Sequence, residues 1–145
     1  MNTSDRNRFP LVTIGLPVYN GEQHIREAIE SLLEQTYPNI ELIISDNAST
    51  DATVSISHEY AQRDDRVTVL ESERNQGQVV NFLKAFEAGS GKYFAWAGDH
   101  DVWHPEWAEV LVDSLENNPD VVLAYPQAVA ISPDGSEIKD NYVQF

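Results

Sequence analysis

The 145-residue chain carries 24 acidic against 9 basic residues, a formal charge of −15, with 41% apolar and 10% aromatic residues and no cysteine. This excludes a disordered chain, a nucleic-acid binder, which needs a basic face, and any disulfide framework, thiolate zinc site or cysteine nucleophile. It also sets a condition: an anionic ligand approaching so acidic a protein needs a bound cation, a helix N-terminus, or both.

Residues 1–9 are polar and are expected to form a flexible tail. They carry no apolar core of a signal peptide, and no run in the chain reaches membrane-spanning length. The expectation is a single domain without an integral membrane segment, cytoplasmic or at the inner face of a membrane. Leu11 to Pro17 is β-branched and mostly apolar, the pattern of a buried strand ending at the proline. After the loop Val18-Tyr19-Asn20-Gly21, a helix is predicted from Glu22 to Gln35. Ile25, Ala28, Ile29, Leu32 and Leu33 form its apolar face, and Asn20 and Gln23 offer a capping box.

Ile40 to Ser45 reads as a second strand closing on Asp46-Asn47, with a second helix from Ala48-Ser49-Thr50-Asp51 to about Gln62. Val67 to Leu70 is a third strand and Asn75-Gln76-Gly77 a turn. Val79, Phe82, Leu83 and Phe86 mark a third amphipathic helix, which Gly89 to Gly91 stop. Tyr93 to Ala97 is a fourth strand, turning at Gly98 into Asp99-His100-Asp101. Pro105 can open a fourth helix, carrying Trp107, Val110, Leu111 and Leu115. Val121 to Tyr125 is expected as a fifth strand, and Pro133-Asp134-Gly135 as a hairpin turn between Ala128–Ser132 and Glu137-Ile138. The alternation predicts an α/β fold, a doubly wound and mostly parallel sheet. The chain stops at Phe145 soon after a strand-like segment with no closing helix, the pattern expected of a domain cut short.

Right-handed crossovers leave all parallel strands pointing one way, so three loops share the carboxyl edge of the sheet: Pro17 to Asn20, Asp46 to Asp51, and Asp99 to Asp101. Open α/β sheets bind ligands at that edge. Two carboxylates with an imidazole between them suit a hard divalent cation, Mn²⁺ or Mg²⁺, better than zinc.

These blocks resemble family 2 glycosyltransferases of the GT-A fold. Pro17-Val18-Tyr19-Asn20 is similar to their P-x-Y-N opening. Leu32 to Ile44 is similar to their S-x-x-x-Q-T-y-x-n-x-E-x-i-i block, and Asp46 to Asp51 to their D-[DN]-x-S-x-D. Asn75-Gln76-Gly77 resembles N-x-G, and Asp99 to Pro105 the D-x-D strand end. The blocks fall in the family's order from Leu11 to about Tyr125.

The resemblance implies a GT-A donor-binding domain, a nucleotide-diphospho-sugar donor with a UDP-sugar as first expectation, and transfer to a saccharide or lipid-linked acceptor hydroxyl, expected to proceed with inversion. It implies that Pro17, Val18, Tyr19, Asn20, Asp46, Asn75 and Asp99 bind the donor, and that Asp99, His100 and Asp101 hold the divalent cation bridging its phosphates. Counted back from Pro105, Asp101 falls on the family's last acid, His100 on the usual metal-binding acid and Asp99 on a variable position. Either Asp99 and Asp101 form the D-x-D, or His100 is itself a ligand.

Local readings stand beside these. Asn20 and Asn75 serve equally as N-caps, Asp46 as an Asx-turn, and Trp96, Trp103 and Trp107 as core or cleft wall. His24, His58 and His104 read as surface or capping residues. No convincing general base follows Tyr125, where Asp134, Glu137 and Asp140 are the acids present. The alternative function is therefore a nucleotide- and metal-binding module without turnover, with self-association through an incomplete sheet edge.

Overall fold

The computed structural model describes residues 9–132 and 134–138. Four strands, β1 (Val12–Val18), β2 (Ile40–Asp46), β3 (Val67–Glu71) and β4 (Tyr93–Trp96), alternate with four helices, α1 (Ile25–Leu33), α2 (Thr53–Ala61), α3 (Gln78–Ala88) and α4 (Trp107–Asn117). The strands form one parallel sheet in the order β3-β2-β1-β4. The chain moves outward from β1 to β3, then returns to pair β4 with the other side of β1. That reversal is the topological switch point of a doubly wound sheet, and it opens a crevice beyond the carboxyl ends of β1 and β4.

One face of β1 and β2 buries Ile14, Leu16, Leu42 and Ile44 completely against Ile25, Ile29 and Leu32 of α1 and Trp107, Ala108 and Val112 of α4. Each such side chain contributes about 1.5–3 kcal/mol of burial. Helix α3 covers the other face. Gly15 of β1 meets Ala85 there: a Cβ on Gly15 would lie 3.2 Å from that of Ala85 and 2.7 Å from the Phe94 ring.

At the amino edge, Glu41 staples three segments together. It accepts from Thr13 Oγ1 at 2.5 Å, Ser90 N at 2.6 Å and Ser90 Oγ at 3.0 Å. Burial pushes the Glu41 carboxyl up, but these hydrogen bonds outweigh it and hold the group below its ordinary value.

Several expectations are corrected. Strand β1 runs through Pro17 to Val18. Gly15 O accepts from Ala97 N, so the proline's missing N–H falls on the β4 side, beyond the end of that ladder. Helix α3 forms, but Val79, Leu83 and Phe86 are exposed; its buried residues are Asn81 and Ala85. Helix α2 begins at Thr53 rather than Ala48, which adopts φ +63°. Residues 121–125 form no strand: Val122, Leu123 and Tyr125 are exposed and the segment joins no ladder. The hairpin is present as one antiparallel bridge, Ile131 with Glu137, turning at Gly135 with φ +81°. Phe9, assigned to the tail, packs edge-on against Tyr37 at 5.8 Å and accepts from Asn39 Nδ2 at 2.8 Å. The rest of the tail lies outside the described residues, among which no helix is long and apolar enough to cross a membrane.

Candidate functional site

A cleft of about 390 Å³ opens at the switch point between the loops after β1, β2 and β4 and the start of α3. Pro17, Val18, Tyr19, Asn75, Asp99 and His100, all candidates from the sequence, line it. So do Asn47, from the second edge loop, and Gln78, Asn81, Phe82, Ala97 and Gly98, which the sequence did not mark as site residues. The volume suits a small ligand. A larger cleft, about 520 Å³, lies between α4 and residues 121–126. Its walls are mostly apolar and the three loops do not reach it, so it lacks the convergent polar groups of a binding site.

Asn81 fixes the floor. It is 5% exposed, donates to Ser45 O at 2.9 Å and Val18 O at 3.3 Å, and accepts from Ser45 Oγ at 2.7 Å. One amide thus ties the ends of β1 and β2 to α3. The signal for it was a polar residue one turn from Ala85 on the helix face opposite the apolar stripe. Asn47 holds the third wall, accepting from Gln76 N at 2.8 Å and donating to Asn75 Oδ1 at 3.0 Å. Asn75 Oδ1 in turn accepts from Gly77 N at 2.9 Å.

Asn20 does not cap α1. The helix starts at Ile25, after a turn in which Gly21 O accepts from His24 N and Ile25 N. Asn20 takes φ +55°, a conformation asparagine tolerates, and clasps the second loop instead. Its Oδ1 accepts from Thr50 N at 2.8 Å, and its own N–H donates to Ser49 Oγ at 2.8 Å.

Asp46 lies outside the cleft lining, 1% exposed at the end of β2. Its Oδ2 accepts from Ser49 N at 2.9 Å, three residues on, where an Asx-turn would take the N–H of Ala48, two residues on. Its Oδ1 is buried without a hydrogen-bond partner. A buried carboxylate oxygen left unpaired is costly, and the chemistry it lacks is an N–H or O–H donor.

The acidic loop departs from expectation. Among the described residues no three His, Asp or Glu side chains are close enough together to hold a metal ion. Asp99 Oδ1 and His100 Nδ1 lie 2.9 Å apart. That hydrogen bond holds the His100 imidazole above its ordinary value, against partial desolvation, and the charges of Asp101 and Asp99 add to it. Asp101 folds back: a Cβ on Gly98 would lie 2.4 Å from its Oδ2. Asp99 occupies a cradle left by Gly21, where a Cβ would lie 2.5 Å from its Oδ2. Carboxylate and imidazole are ligand types a divalent cation such as Mn²⁺ accepts, but the three side chains do not converge on one point in this structure.

Trp103 and Trp107 pack with ring centroids 4.5 Å apart and planes tilted by 53°, Trp107 in the core, and Trp96 stands half exposed beside Phe82 and Phe86. His58 pairs with Glu71 at 2.8 Å, and His104 Nδ1 accepts from Glu106 N at 3.3 Å. Asp134 is exposed and holds Ser132 Oγ, Ser136 Oγ and Ser136 N, which lower its carboxyl to about 2. Glu137 is exposed, and Asp140 lies outside the described residues.

The sequence matches the model of glycosyl transferase family 2 over residues 13–142. It is 38% identical over 109 residues to an uncharacterized glycosyltransferase of Haemophilus influenzae, covering 75% of this chain and 34% of that protein. It is 37% identical over 100 residues to TuaG of Bacillus subtilis, a putative teichuronic acid biosynthesis glycosyltransferase, covering 69% of this chain and 40% of that protein. The fold superposes on the mannosyltransferase PcManGT of Pyrobaculum calidifontis, solved with GDP-Man and Mn²⁺, with TM-score 0.69 and 25% identity over 76% of this chain and 33% of that one. It superposes on Staphylococcus aureus TarS 1–349, solved with UDP, with TM-score 0.71 and 21% identity over 82% and 39% of the two chains. The chain thus spans 34% and 40% of the length of these two curated relatives.

Proposed function

The chain belongs to glycosyl transferase family 2, and on that premise we propose that its switch-point cleft binds a nucleotide-diphospho-sugar, a UDP-sugar first among them, as donor for an inverting transfer to an acceptor hydroxyl. One observation carries the reading: the orphaned, fully buried Oδ1 of Asp46 stands at the same sheet edge as Asp99, His100 and Asp101. Such an edge suits a ligand with a hydrogen-bond-donating base at one end and a diphosphate at the other.

The proposed roles are these. Tyr19, half exposed at the cleft mouth, offers a ring face to the base. Asp46 Oδ1 accepts from a base or ribose donor. Pro17, Val18 and Asn75 shape the walls, and Asn20 sets the distance between the first two loops. Asp99, His100 and Asp101 would hold the divalent cation, Mn²⁺ or Mg²⁺, of a D-x-D site. Bound there, such an ion neutralises the diphosphate and the departing nucleotide, which a chain of charge −15 cannot do itself. His100 has to lose its proton before its imidazole can ligate. Asp99 faces the cleft whereas Asp101 does not, so we take Asp99 as the carboxylate nearest the phosphates. The register counted from Pro105 gives the greater weight to Asp101, and Asp99→Asn against Asp101→Asn in Mn²⁺-dependent binding separates the two.

A second reading, binding without turnover, has its own support. A base that deprotonates an acceptor hydroxyl works best with a pKa near the operating pH, and Asp134, lowered to about 2, is far from it. We propose that this chain binds donor and at most hydrolyses it slowly, the saccharide or lipid-linked acceptor being engaged elsewhere in a full-length relative. The outer edge of β4, beside exposed Trp96, Phe86 and Leu83, is the surface for the expected self-association. The cytoplasm, or the inner face of a membrane, is the proposed site of action, tested by cell fractionation. The function itself is tested by thermal shifts with UDP and GDP in Mn²⁺ and in EDTA, followed by product mass with nucleotide sugars and an acceptor panel. Selective stabilisation by one nucleotide with Mn²⁺ supports donor binding. Efficient glycoside formation by this chain alone would overturn the second reading.

A further inference from the structure

The segment from Gly98 to Glu106 joins β4 to α4 without strand or helix. Its own backbone does little to hold it: Asp101 N reaches Gly98 O at 3.4 Å, and Trp107 N reaches His104 O at 2.9 Å. What fastens it is the far end of α1. The Gln35 amide is 7% exposed and fully used. Its Nε2 donates to His104 O at 2.8 Å and Ser31 O at 3.1 Å, and its Oε1 accepts from Ala108 N at 3.0 Å. Beside it, Trp103 N donates to Ser31 Oγ at 3.2 Å and Thr36 N donates to Pro105 O at 2.8 Å. The Ala108 bond also satisfies one of the free N–H groups opening α4, whose N-cap residue Glu106 makes no side-chain cap of its own.

Helix α1 therefore touches the acidic loop at both ends. The Gly21 cradle, just before it, receives Asp99. Ser31 and Gln35, at its close, pin Trp103 and His104, two and three residues past Asp101. A rigid helix of nine residues sets the distance between the two attachments.

We infer that Gln35, with Ser31, is a positioning residue for the acidic loop: it sets the place of Asp99 and Asp101 relative to the loop after β1, and it touches neither donor nor ion. The inference rests on the proposed reading that residues 99–101 meet the cation and diphosphate. The difference from a merely structural role lies in what is lost. Removing a structural amide lowers stability everywhere; removing a positioning amide loosens one loop and weakens one function.

The test uses the full chain with Gln35→Ala, Gln35→Glu, which keeps an acceptor for Ala108 N while losing both donors, and the milder Ser31→Ala. Glu41→Gln, at the opposite edge of the sheet, is the control for general destabilisation. Two readouts are taken. Amide hydrogen exchange across residues 98–106 should rise about tenfold or more in the Gln35 and Ser31 variants, with β1 and β2 protection unchanged, and should not rise in Glu41→Gln beyond the global change. UDP affinity in Mn²⁺ should fall about tenfold or more, while UDP affinity in EDTA stays within about twofold. Unchanged loop exchange in Ser31→Ala and Gln35→Glu overturns the inference, as does equal loss of UDP affinity with and without Mn²⁺. A wild-type chain with no Mn²⁺ effect refutes the cation reading instead. Loop exchange still judges Gln35 in that case, so the two failures are distinguishable.

Discussion

Replacing Asp46 with asparagine separates binding from stability at one oxygen. The carboxylate is 1% exposed; Oδ2 accepts the Ser49 N–H at 2.9 Å, and Oδ1 has no partner. Asparagine keeps an oxygen for Ser49 and puts an NH₂ where Oδ1 stood. In the free protein the change removes a buried charge with an unsatisfied oxygen, a liability of about 1–3 kcal/mol. The new NH₂ is buried without an acceptor in its turn, which offsets that gain, so Asp46→Asn should change stability by less than about 1 kcal/mol, where most buried substitutions destabilise. The nucleotide loses its acceptor and meets a donor, so UDP binding should weaken by about 1.5–3 kcal/mol, the value of a charge-assisted hydrogen bond, or roughly ten- to 150-fold. The assays are urea melts and titration calorimetry with uridine and UDP, the uridine titration isolating the base from the phosphates. A variant that is less stable by more than about 1 kcal/mol yet binds UDP normally overturns this role, and reduces Asp46 to the anchor of the loop after β2.

Three other outcomes are expected. Gly21→Ala places a Cβ 2.5 Å from Asp99 Oδ2; about 1–3 kcal/mol of overpacking strain should displace that carboxylate, and calorimetry should show weaker Mn²⁺-dependent UDP binding with a cooperative melt retained. Glu41→Gln removes the charge accepted by Thr13 and Ser90 and should cost about 1–2 kcal/mol at neutral pH. Because the folded Glu41 pKa lies below its ordinary 4.5, the stability it supplies is present above that value and lost as pH falls through the folded pKa, so urea melts of wild type and variant should converge in acid. Tyr37 donates to Pro10 O at 2.6 Å, and burial, aided by the charge of Glu116, pushes its phenol from 10 up to about 12. Its contribution is intact below pH 10 and fades as pH rises towards about 12, a loss that Tyr37→Phe should remove from the alkaline limb of the stability curve.

The sheet was legible because its strands are local signals: β-branched runs between Gly, Asn and Pro, with an apolar helical face between them. The order of the loops followed from handedness alone. The face of α3 was misread because periodicity reveals an apolar stripe and not the surface it meets; here Gly15 and Ala85 admit the helix closely and Asn81 ties it down, leaving Val79, Leu83 and Phe86 outside. Val121 to Tyr125 has strand composition, but a strand also needs a ladder partner. Asn20 looked like a cap because capping boxes are read within four residues, while its partner Thr50 lies thirty residues away. Gln35 bonds to His104 across 69 residues, and Gly21 meets Asp99 only because β1 and β4 are neighbours. No local pattern encodes such contacts. The acidic trio was found, but adjacency in sequence did not make the three side chains converge.

Donor binding as proposed requires that nucleotide diphosphate binding in the switch-point cleft depend on a divalent cation held with Asp99, His100 and Asp101. Titration calorimetry of UDP into the chain, once in Mn²⁺ and once in EDTA, tests it most directly. Binding at least about a hundredfold tighter is expected in Mn²⁺, since about 2.7 kcal/mol or more of phosphate repulsion has to be offset in a protein of charge −15. Equal affinity in Mn²⁺ and EDTA would contradict it.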